Sequence, residues 1–420
     1  MTIDTLGADA LASNSVTTAK IANDAVTGAK IPTDAVVAAD IADSSITTAK
    51  LADNAVTSAK ALNLGRRNLI INGDMNVAQR ATSVADIGAS SGYFTCDRWE
   101  IETGNSAGRL TMAQNSDSPD GFNNSISLAC TTADTSIASN EYFRLQQVIE
   151  AQNLQSLAKG TSSAKQFTLS FYVKGNAAAT YGVEIYDLDN TRHICSTFNV
   201  TTSWNRISIT FDGDTTGAIN DDNGGGFQVG IYLHAGSDYN SGTLSTSWAS
   251  ITTANRTSSS NTSFYDSTSR TFFITGVQLE VGSVATDFEH RSFGEEHLLC
   301  QRYFRLSNDG SEAYQPVGNG IGHAENTSTF TTNWVWHTEM RAKPTLAVFE
   351  EGNTLGSVFV RQDSSYFADG VAISTGSKVG LRINLTTPNN NAGDTTFQDT
   401  LPGAVYASGT NKAWSAEAEL

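Results

Sequence analysis

Residues 166–174 read Gln166-Phe-Thr-Leu-Ser-Phe-Tyr-Val-Lys174. Phe167, Leu169, Phe171 and Val173 alternate with Gln166, Thr168, Ser170, Tyr172 and Lys174. Successive side chains of an extended chain point to opposite faces, so this segment has one apolar and one polar face. The same alternation recurs at Ile207, Ile209 and Phe211, and at Phe227, Val229, Ile231 and Leu233, whose partners Gln228, Gly230 and Tyr232 read as a polar face. Shorter strands are expected at Leu110–Met112, Ile126–Leu128, Val183–Ile185, Phe198–Val200 and Phe272–Leu279. One-faced strands separated by Gly, Asn, Asp and Ser turns predict an antiparallel β-sandwich over residues 65–291. One helix is expected inside it, from about Leu145 to Leu157. The run Asn68-Leu-Ile-Ile-Asn-Gly-Asp74 reads as its first strand, closed by an Asn72-Gly73 turn.

Upstream lies a repeat of period ten: LASNSVTTAK (11–20), IANDAVTGAK (21–30), IPTDAVVAAD (31–40), IADSSITTAK (41–50) and LADNAVTSAK (51–60). Leu11, Ile21, Ile31, Ile41 and Leu51 open the units, and Val16, Val26, Val36, Ile46 and Val56 stand at their centres. An apolar residue every fifth position does not stay on one face of a helix, where five steps advance about 140°. An odd spacing also flips faces along a strand. A chain that turns about every five residues fits, with turn formers at Asn14, Asp24, Asp34, Ser44 and Asn54. Two medium aliphatics per unit and no aromatic cannot offset the ordering entropy of a lone chain. Residues 1–64 therefore read as a self-associating shaft, three copies with these ten positions on a shared axis. A disordered Thr/Ala-rich linker is the competing reading, and the strict Ile/Val positions weigh against it.

Downstream, residues 292–305 read as a helical connector. Ser292 and Glu295 form a capping-box pair, Glu295 and Glu296 suit the positive helix start, and Arg302 and Arg305 suit its end. Beyond it, residues 306–420 read as a small β-domain with strands at Trp334–Thr338, Leu346–Glu350, Ser357–Val360 and Val379–Leu385. The whole is mainly β: repeat shaft, sandwich, helix, small β-domain.

Charged residues make up 16% of the 420, and the net charge is −17. Nucleic acid is not an expected partner, since phosphate binding needs clustered Lys and Arg. No run reaches the length of a membrane span, so no membrane insertion is expected. The four cysteines, Cys96, Cys130, Cys195 and Cys300, lack ligand or framework spacing and read as buried thiols. The six histidines show no metal spacing. Neither a basic n-region nor an apolar h-region opens the chain, so cytoplasmic synthesis is expected.

Three stretches carry a resemblance. The decapeptides of the form IANDAVTGAK resemble fibre-shaft repeats. Asn68–Asp74, with Phe94-Thr-Cys-Asp-Arg-Trp99, resembles the opening of a jelly-roll module, and Phe273–Ser292 with Glu295–Phe304 resembles its closing strand and connector. Together they are similar to tail fibres and related appendage proteins of tailed bacteriophages, especially those of marine and cyanobacterial hosts. Residues 306–420 match only through Met340-Arg-Ala-Lys-Pro-Thr345 and the terminal Ala-Glu-Leu. The resemblance implies a virion tail appendage, synthesised in the host cytoplasm and released by lysis, usually a homotrimer. It would contact a host-surface polysaccharide or protein at one end and other phage tail proteins at its N-terminus. Such fibres often carry a long N-terminal adaptor, and none is seen before the repeat.

Recognition of a glycan needs aromatic faces beside amides and carboxylates. The candidates are Trp334, Trp336 and His337, the pair Tyr366-Phe367 near Asp363 and Asp369, and Tyr239 and Trp248 in a polar loop. Core packing is the competing reading for Trp334 and Trp336, and a packing role is expected for Trp204. Asp187-Leu-Asp189-Asn and Asp212-Gly-Asp214 offer alternating oxygens, so a structural calcium ion is one expectation there and plain Asx turns the other. Catalysis is not expected: Glu141, Glu150, Asp187, Asp189, Asp212 and Asp214 read as loop acids, and no two are placed across a groove by sequence. The alternatives are a tailspike that depolymerises polysaccharide and a purely structural virion component.

Overall fold

In the computed structural model, residues 66–306, 336–345 and 415–420 are described with their side chains. The strands between 316 and 414 are described as backbone, and of residues 1–65 only positions 21, 27, 31, 40, 41, 45 and 46 are described. The chain forms two compact units, Met1–Gly65 and Arg66–Leu420. In the first, Ile21, Ile31, Ile41 and Ile46 are 43–53% exposed in the single chain. The other expected axis residues, Leu11, Val16, Val26, Val36, Leu51 and Val56, lie outside the described residues.

The second unit is mainly β, and its centre is an antiparallel jelly-roll sandwich. One sheet has the order β1 (Ser83–Ile87), β4 (Arg109–Asn115), β5 (Ser125–Thr132), β13 (Thr271–Val281), β7 (Phe167–Gly175) and β10 (Asn205–Phe211). The other has the order β12 (Ala249–Ser250), β9 (Arg192–Val200), β8 (Ala179–Asp187), β11 (Gly225–Ala235), β6 (Tyr142–Glu150), β3 (Glu100–Gly104) and β2 (Gly92–Tyr93). Register puts Phe171 opposite Ile207, Leu169 opposite Ile209 and Phe167 opposite Phe211, as the shared alternation requires. The inner faces meet through aromatic pairs across the sheets: Phe171 with Phe198 at 5.0 Å, Tyr181 with Phe272 at 5.6 Å, and Phe167 with Phe227 at 5.8 Å between centroids. Each such ring buried from water contributes about 1.5–3 kcal/mol.

Two expectations are corrected. Residues 145–150 belong to β6, and only Ala151–Leu157 are helical, as a 3-10 segment. In β6 the alternation of Tyr142, Arg144 and Gln146 against Phe143 and Leu145 breaks at Gln147-Val148-Ile149, where Leu145, Val148 and Ile149 take a helical spacing. Asn68–Asp74 is not a strand either. Its side chains satisfy the backbone in place of a ladder. Asn68 Oδ1 accepts from Ile70 N and Leu279 N, Asn68 Nδ2 donates to Val277 O, and Gln147 bonds both N and O of Ile71. Asn72 (φ 56°) accepts from Val77 N, donates to Val77 O and Asp97 O, and its own carbonyl accepts from Trp99 Nε1. Gly73 is required by close approach, since a Cβ there would lie 2.2 Å from Val277 O.

The helix α2 (Phe293–Gln301) follows α1 (Ser237–Asn240), with Ser292 Oγ accepting from Glu295 N as the capping box predicts. It leads into β14 (Phe304–Leu306), which pairs with β24 (Trp414–Glu417), itself paired with β17 (Thr345–Val348). An eight-stranded antiparallel sheet contains β15 (Pro316–Asn326), β16 (Thr329–Val335), β18 (Val358–Gln362), β19 (Ser365–Ala368), β20 (Val371–Ser377), β21 (Gly380–Thr386), β22 (Asn389–Asn390) and β23 (Pro402–Ala407). The region after residue 306 returns to the sandwich. Arg98, buried, pairs with Glu419; Arg80 reaches Glu419 at 3.1 Å; Arg341 donates to Ala418 O, Glu419 O and Asn223 O. All four cysteines are buried and unbonded. Among the described residues no helix is long and apolar enough to cross a membrane.

Candidate functional site

Alternation along β11 sends Phe227, Val229, Ile231 and Leu233 into the core, so Gln228, Gly230, Tyr232 and His234 form part of the opposite face of the seven-stranded sheet. Register extends that face into rows. One row runs Glu102, Arg144, Tyr232 and Gly182; the next runs Glu100, Gln146, Gly230, Glu184 and Cys195; a third brings Gln228, Tyr186 and His193 together. At the centre Gly230 is buried, and a Cβ added there would touch Arg144 Cδ at 3.6 Å and Gln228 Nε2 at 3.7 Å. Beside it, α1 brings Tyr239 over Tyr142 (4.9 Å between centroids) and Tyr232 (6.4 Å), and the turn after Asn255 brings in Arg256.

The charges on this face are matched. Arg256 donates to both Glu184 oxygens at 2.7–3.0 Å, and His193 Nδ1 lies 2.8 Å from Glu184 Oε1. Burial alone would raise the Glu184 carboxyl, but the His193 bond and the Arg256 and Arg144 charges hold it below the usual carboxylate range. Arg144 pairs with Glu102 and donates to Tyr232 Oη at 2.9 Å; Tyr142 Oη donates to Glu102 Oε1 at 3.0 Å. Burial, reinforced by Glu102, pushes the Tyr142 phenol up to about 12, so it stays a donor at neutral pH. Glu100 accepts from Gln146 Nε2 at 2.7 Å, and burial raises its carboxyl. Arg256 lies 5.4 Å from the Tyr186 ring and 5.7 Å from that of Tyr232. Tyr142, Tyr186, Tyr239, Glu100, Glu102 and Arg256 are half-exposed. The face thus offers tyrosine rings beside fixed carboxylate, amide and guanidinium groups, which is the chemistry that packs a sugar ring and bonds its hydroxyls.

Of the residues singled out by sequence, Tyr239 belongs to this face. Trp248 is not a free loop residue: it packs on Phe227 (5.8 Å) and Phe167 (6.4 Å), and its Nε1 donates to Asp212 O. Trp336 lies beyond the end of β16, 6% exposed, with the Arg305 guanidinium 5.2 Å from its ring, so it is a core residue. His337 is exposed. Trp334 falls on β16 and Tyr366 and Phe367 on β19, and their side chains lie outside the described residues. Trp204 packs on Phe273 as expected.

Asp187 and Asp214 are brought together, and the cation between them is a lysine. Lys159 Nζ lies 2.6 Å from Asp187 Oδ2 and 3.1 Å from Asp214 Oδ2, and Arg192 adds a 2.7 Å bond to Asp214. Asp189 accepts from Asn220, and Asp212 from Gln166. The positive charge expected of calcium at the first pair is therefore supplied by the chain itself.

No protein-family model matches the chain, and no curated protein is similar to it in sequence. Among solved structures it is similar to one described as "CBM4 structure and function", with 16% identity and a TM-score of 0.27, covering 50% of this chain and 98% of that one. It is similar to the enzymatically active domain of bacteriophage CBA120 tailspike protein 4, at 13% identity and a TM-score of 0.27, over 51% of this chain and 21% of the tailspike chain. It is also similar to the family 11 carbohydrate-binding module of a Clostridium thermocellum cellulosomal cellulase, at 13% identity and a TM-score of 0.24, over 47% of this chain and 94% of that one. Likeness at this level assigns no ligand and no activity.

Proposed function

We propose that this chain is a homotrimeric phage tail fibre that attaches the virion to a host-surface glycan, and that the outer face of the seven-stranded sheet is its sugar-contacting surface. The observation that carries the reading is the face itself: Tyr142, Tyr186 and Tyr239 stand half-exposed on it, beside carboxylates and guanidinium groups already fixed by one another. Prefixed partners lose little side-chain freedom on binding, which favours recognition of a polar ligand. The proposed role is binding, with Glu102 and Glu184 of this face held by arginines. The decapeptide array motivates the trimer, in which neighbouring copies would cover its regularly spaced aliphatic positions. Three weak sites on one axis gain avidity without new contacts. The N-terminus would meet other tail proteins, and the C-terminal strands bearing Trp334, Tyr366 and Phe367 are a second proposed contact region.

The test is binding of the full chain to a panel of bacterial surface polysaccharides, with a parallel assay for released reducing ends. Each of Tyr142→Ala and Tyr239→Ala should weaken binding about tenfold, the equivalent of losing one aromatic contact of about 1.5 kcal/mol. Unchanged affinity in the double variant would refute the face. Sedimentation of a monomer at micromolar concentration would refute the trimer.

A further inference from the structure

Two clusters in the second unit gather three potential metal ligands each, and they differ in what surrounds them. In the first, Glu184, His193 and Cys195 are buried together. Glu184 there is already neutralised by Arg256 and Arg144, its oxygen sits at an ordinary 2.8 Å hydrogen-bond distance from His193 Nδ1, and burial keeps the Cys195 thiol protonated. That cluster is a salt bridge and has no charge left for a cation.

The second, Asp134, Glu141 and His234, comes from the loop between β5 and β6 and from the end of β11. All three are buried, and their ligand atoms lie within 4.8 Å of one another. Among the described residues no lysine or arginine pairs with either carboxylate. Asp134 accepts from Ser106 Oγ (3.1 Å), Ala107 N (2.8 Å) and Ser136 N (3.3 Å), all neutral donors. The side chain of Glu141 has His234 as its partner, at 3.3 Å between Oε2 and Nε2. That separation is long for a charge-assisted N–H···O bond, which runs at about 2.7–2.9 Å. It matches the edge of a tetrahedral site with metal–ligand bonds of about 2.0–2.1 Å, which is about 3.3 Å. The far side of the imidazole is fixed by a hydrogen bond: Nδ1 lies 2.8 Å from Ser263 Oγ, whose oxygen accepts from Tyr265 N. In the tautomer with Nδ1–H donated to the serine, the Nε2 lone pair meets the Glu141 carboxylate, with Asp134 within 4.8 Å, an arrangement that a cation completes.

We propose that Asp134, Glu141 and His234 bind a divalent transition-metal ion of the zinc class, with water completing its coordination. One imidazole and two carboxylates fit zinc, whereas calcium takes oxygen ligands alone. The ion ties the β5–β6 loop to the end of β11, so its role is structural, and zinc binding is read out separately from glycan binding at the adjoining face.

The experiment is equilibrium dialysis of the full chain, freed of tag histidines and stripped with chelator, against zinc chloride. One zinc per chain is expected. Glu141→Gln, which keeps the shape of the side chain, and His234→Gln should each weaken binding at least about a hundredfold. His193→Gln, in the other cluster, should leave the stoichiometry unchanged. Absence of bound zinc in the wild type overturns the proposal, as does full zinc binding by Glu141→Gln. Displacement of zinc by an equal concentration of calcium overturns the choice of metal. The wild-type and Glu141→Gln results decide the matter even where His234→Gln does not fold.

Discussion

Replacing Lys159 by Met removes the one ammonium held between two buried carboxylates while keeping most of the side chain's volume. The wild-type Nζ, 1% exposed in its side chain, lies 2.6 Å from Asp187 and 3.1 Å from Asp214 and donates to the carbonyls of Thr216 and Gly217 at 2.8 Å each. It also sits 5.3 Å from the Trp248 ring, which caps it. Removing one partner of a buried ion pair costs about 3–5 kcal/mol, because the remaining charge stays buried and uncompensated. Arg192 still holds Asp214, and Asn190 still holds Asp187, so a loss near the lower end, about 3 kcal/mol, is expected. Urea unfolding followed by tryptophan fluorescence measures it, with Trp248 as a reporter beside the change. Lys159→Met combined with Asp187→Asn and Asp214→Asn should recover most of the loss. The single variant also leaves two carboxylates and two carbonyls facing one another, a set of hard oxygens. Millimolar calcium should then restore part of the stability of Lys159→Met and do nothing for the wild type. Burial would raise the Asp214 carboxyl, but its bonds to Arg192 and Lys159 hold it low. Stability from this pair is therefore present above the ordinary carboxylate range and fades as pH falls through the lowered value, so the difference between the two proteins should shrink in acid. A loss below about 1 kcal/mol, within the range of an exposed pair, would refute the reasoning.

Burial raises Asp97 to about 7. Between the ordinary value of 3.8 and that point the folded protein keeps a proton that the unfolded chain releases, so stability should fall as pH rises across the window and level off above it. Urea midpoints at pH 5 and pH 8 should show a drop on the order of a few kcal/mol, flattened in Asp97→Asn. Gly73→Ala should cost about 1–3 kcal/mol or more in thermal unfolding, because its Cβ would press on a backbone oxygen that cannot move aside. Glu419→Gln should destabilise by about 3 kcal/mol by leaving the buried Arg98 without its carboxylate, read from the urea midpoint.

Period-two alternation located the strands at 167–173, 207–211, 227–233 and 272–279 because each has one face in the core and one less apolar. The same rule did not carry through β6, where Gln147 interrupts the alternation after Gln146. Leu145, Val148 and Ile149 then present a helical spacing by accident. That failure also hid the site, since Tyr142, Arg144 and Gln146 supply much of the face. The signal was available in the alternation of 142, 144 and 146, polar on one side, with Phe143 and Leu145 on the other. Gln228 and Tyr232 were legible as a polar row, but their burial under the loop carrying Tyr239 and Arg256 was not. The turns holding Asp187 and Asp214 were each legible as oxygen-rich, but that the two residues meet, and do so around a lysine from a distant segment, is something no local spacing names. His234 likewise meets its two carboxylates only through the fold.

The motif stretches that make the sequence recognisable converge on the ends of the sandwich. Asn68 bonds Val277 and Leu279; Gln278 accepts from Glu289 N; Glu289 in turn accepts from Asn68 N, and Arg291 bonds the Asn68 carbonyl. Glu280 takes both the N and the Oγ1 of Thr286. Arg98 of the Phe94–Trp99 stretch meets Glu419 of the terminal Ala-Glu-Leu, and Arg341 of the Met340–Thr345 stretch bonds the carbonyls on either side of the same residues. These polar side chains do what a ladder does elsewhere, satisfying backbone groups where no neighbouring strand is available. Their spacing is strict because each must reach a particular carbonyl or amide. The tyrosines around Gly230 carry no such constraint: Tyr142, Tyr186 and Tyr239 can change without opening that seam. The motif residues therefore hold the module's seam, and the tyrosines of the proposed ligand face take no part in it. It follows that exchanging Tyr142, Tyr186 and Tyr239 together should change which polysaccharide is bound while the urea midpoint moves far less than it does in Glu419→Gln. Equal destabilisation by the two would place the tyrosines among the structural residues and remove the sheet face as a ligand surface.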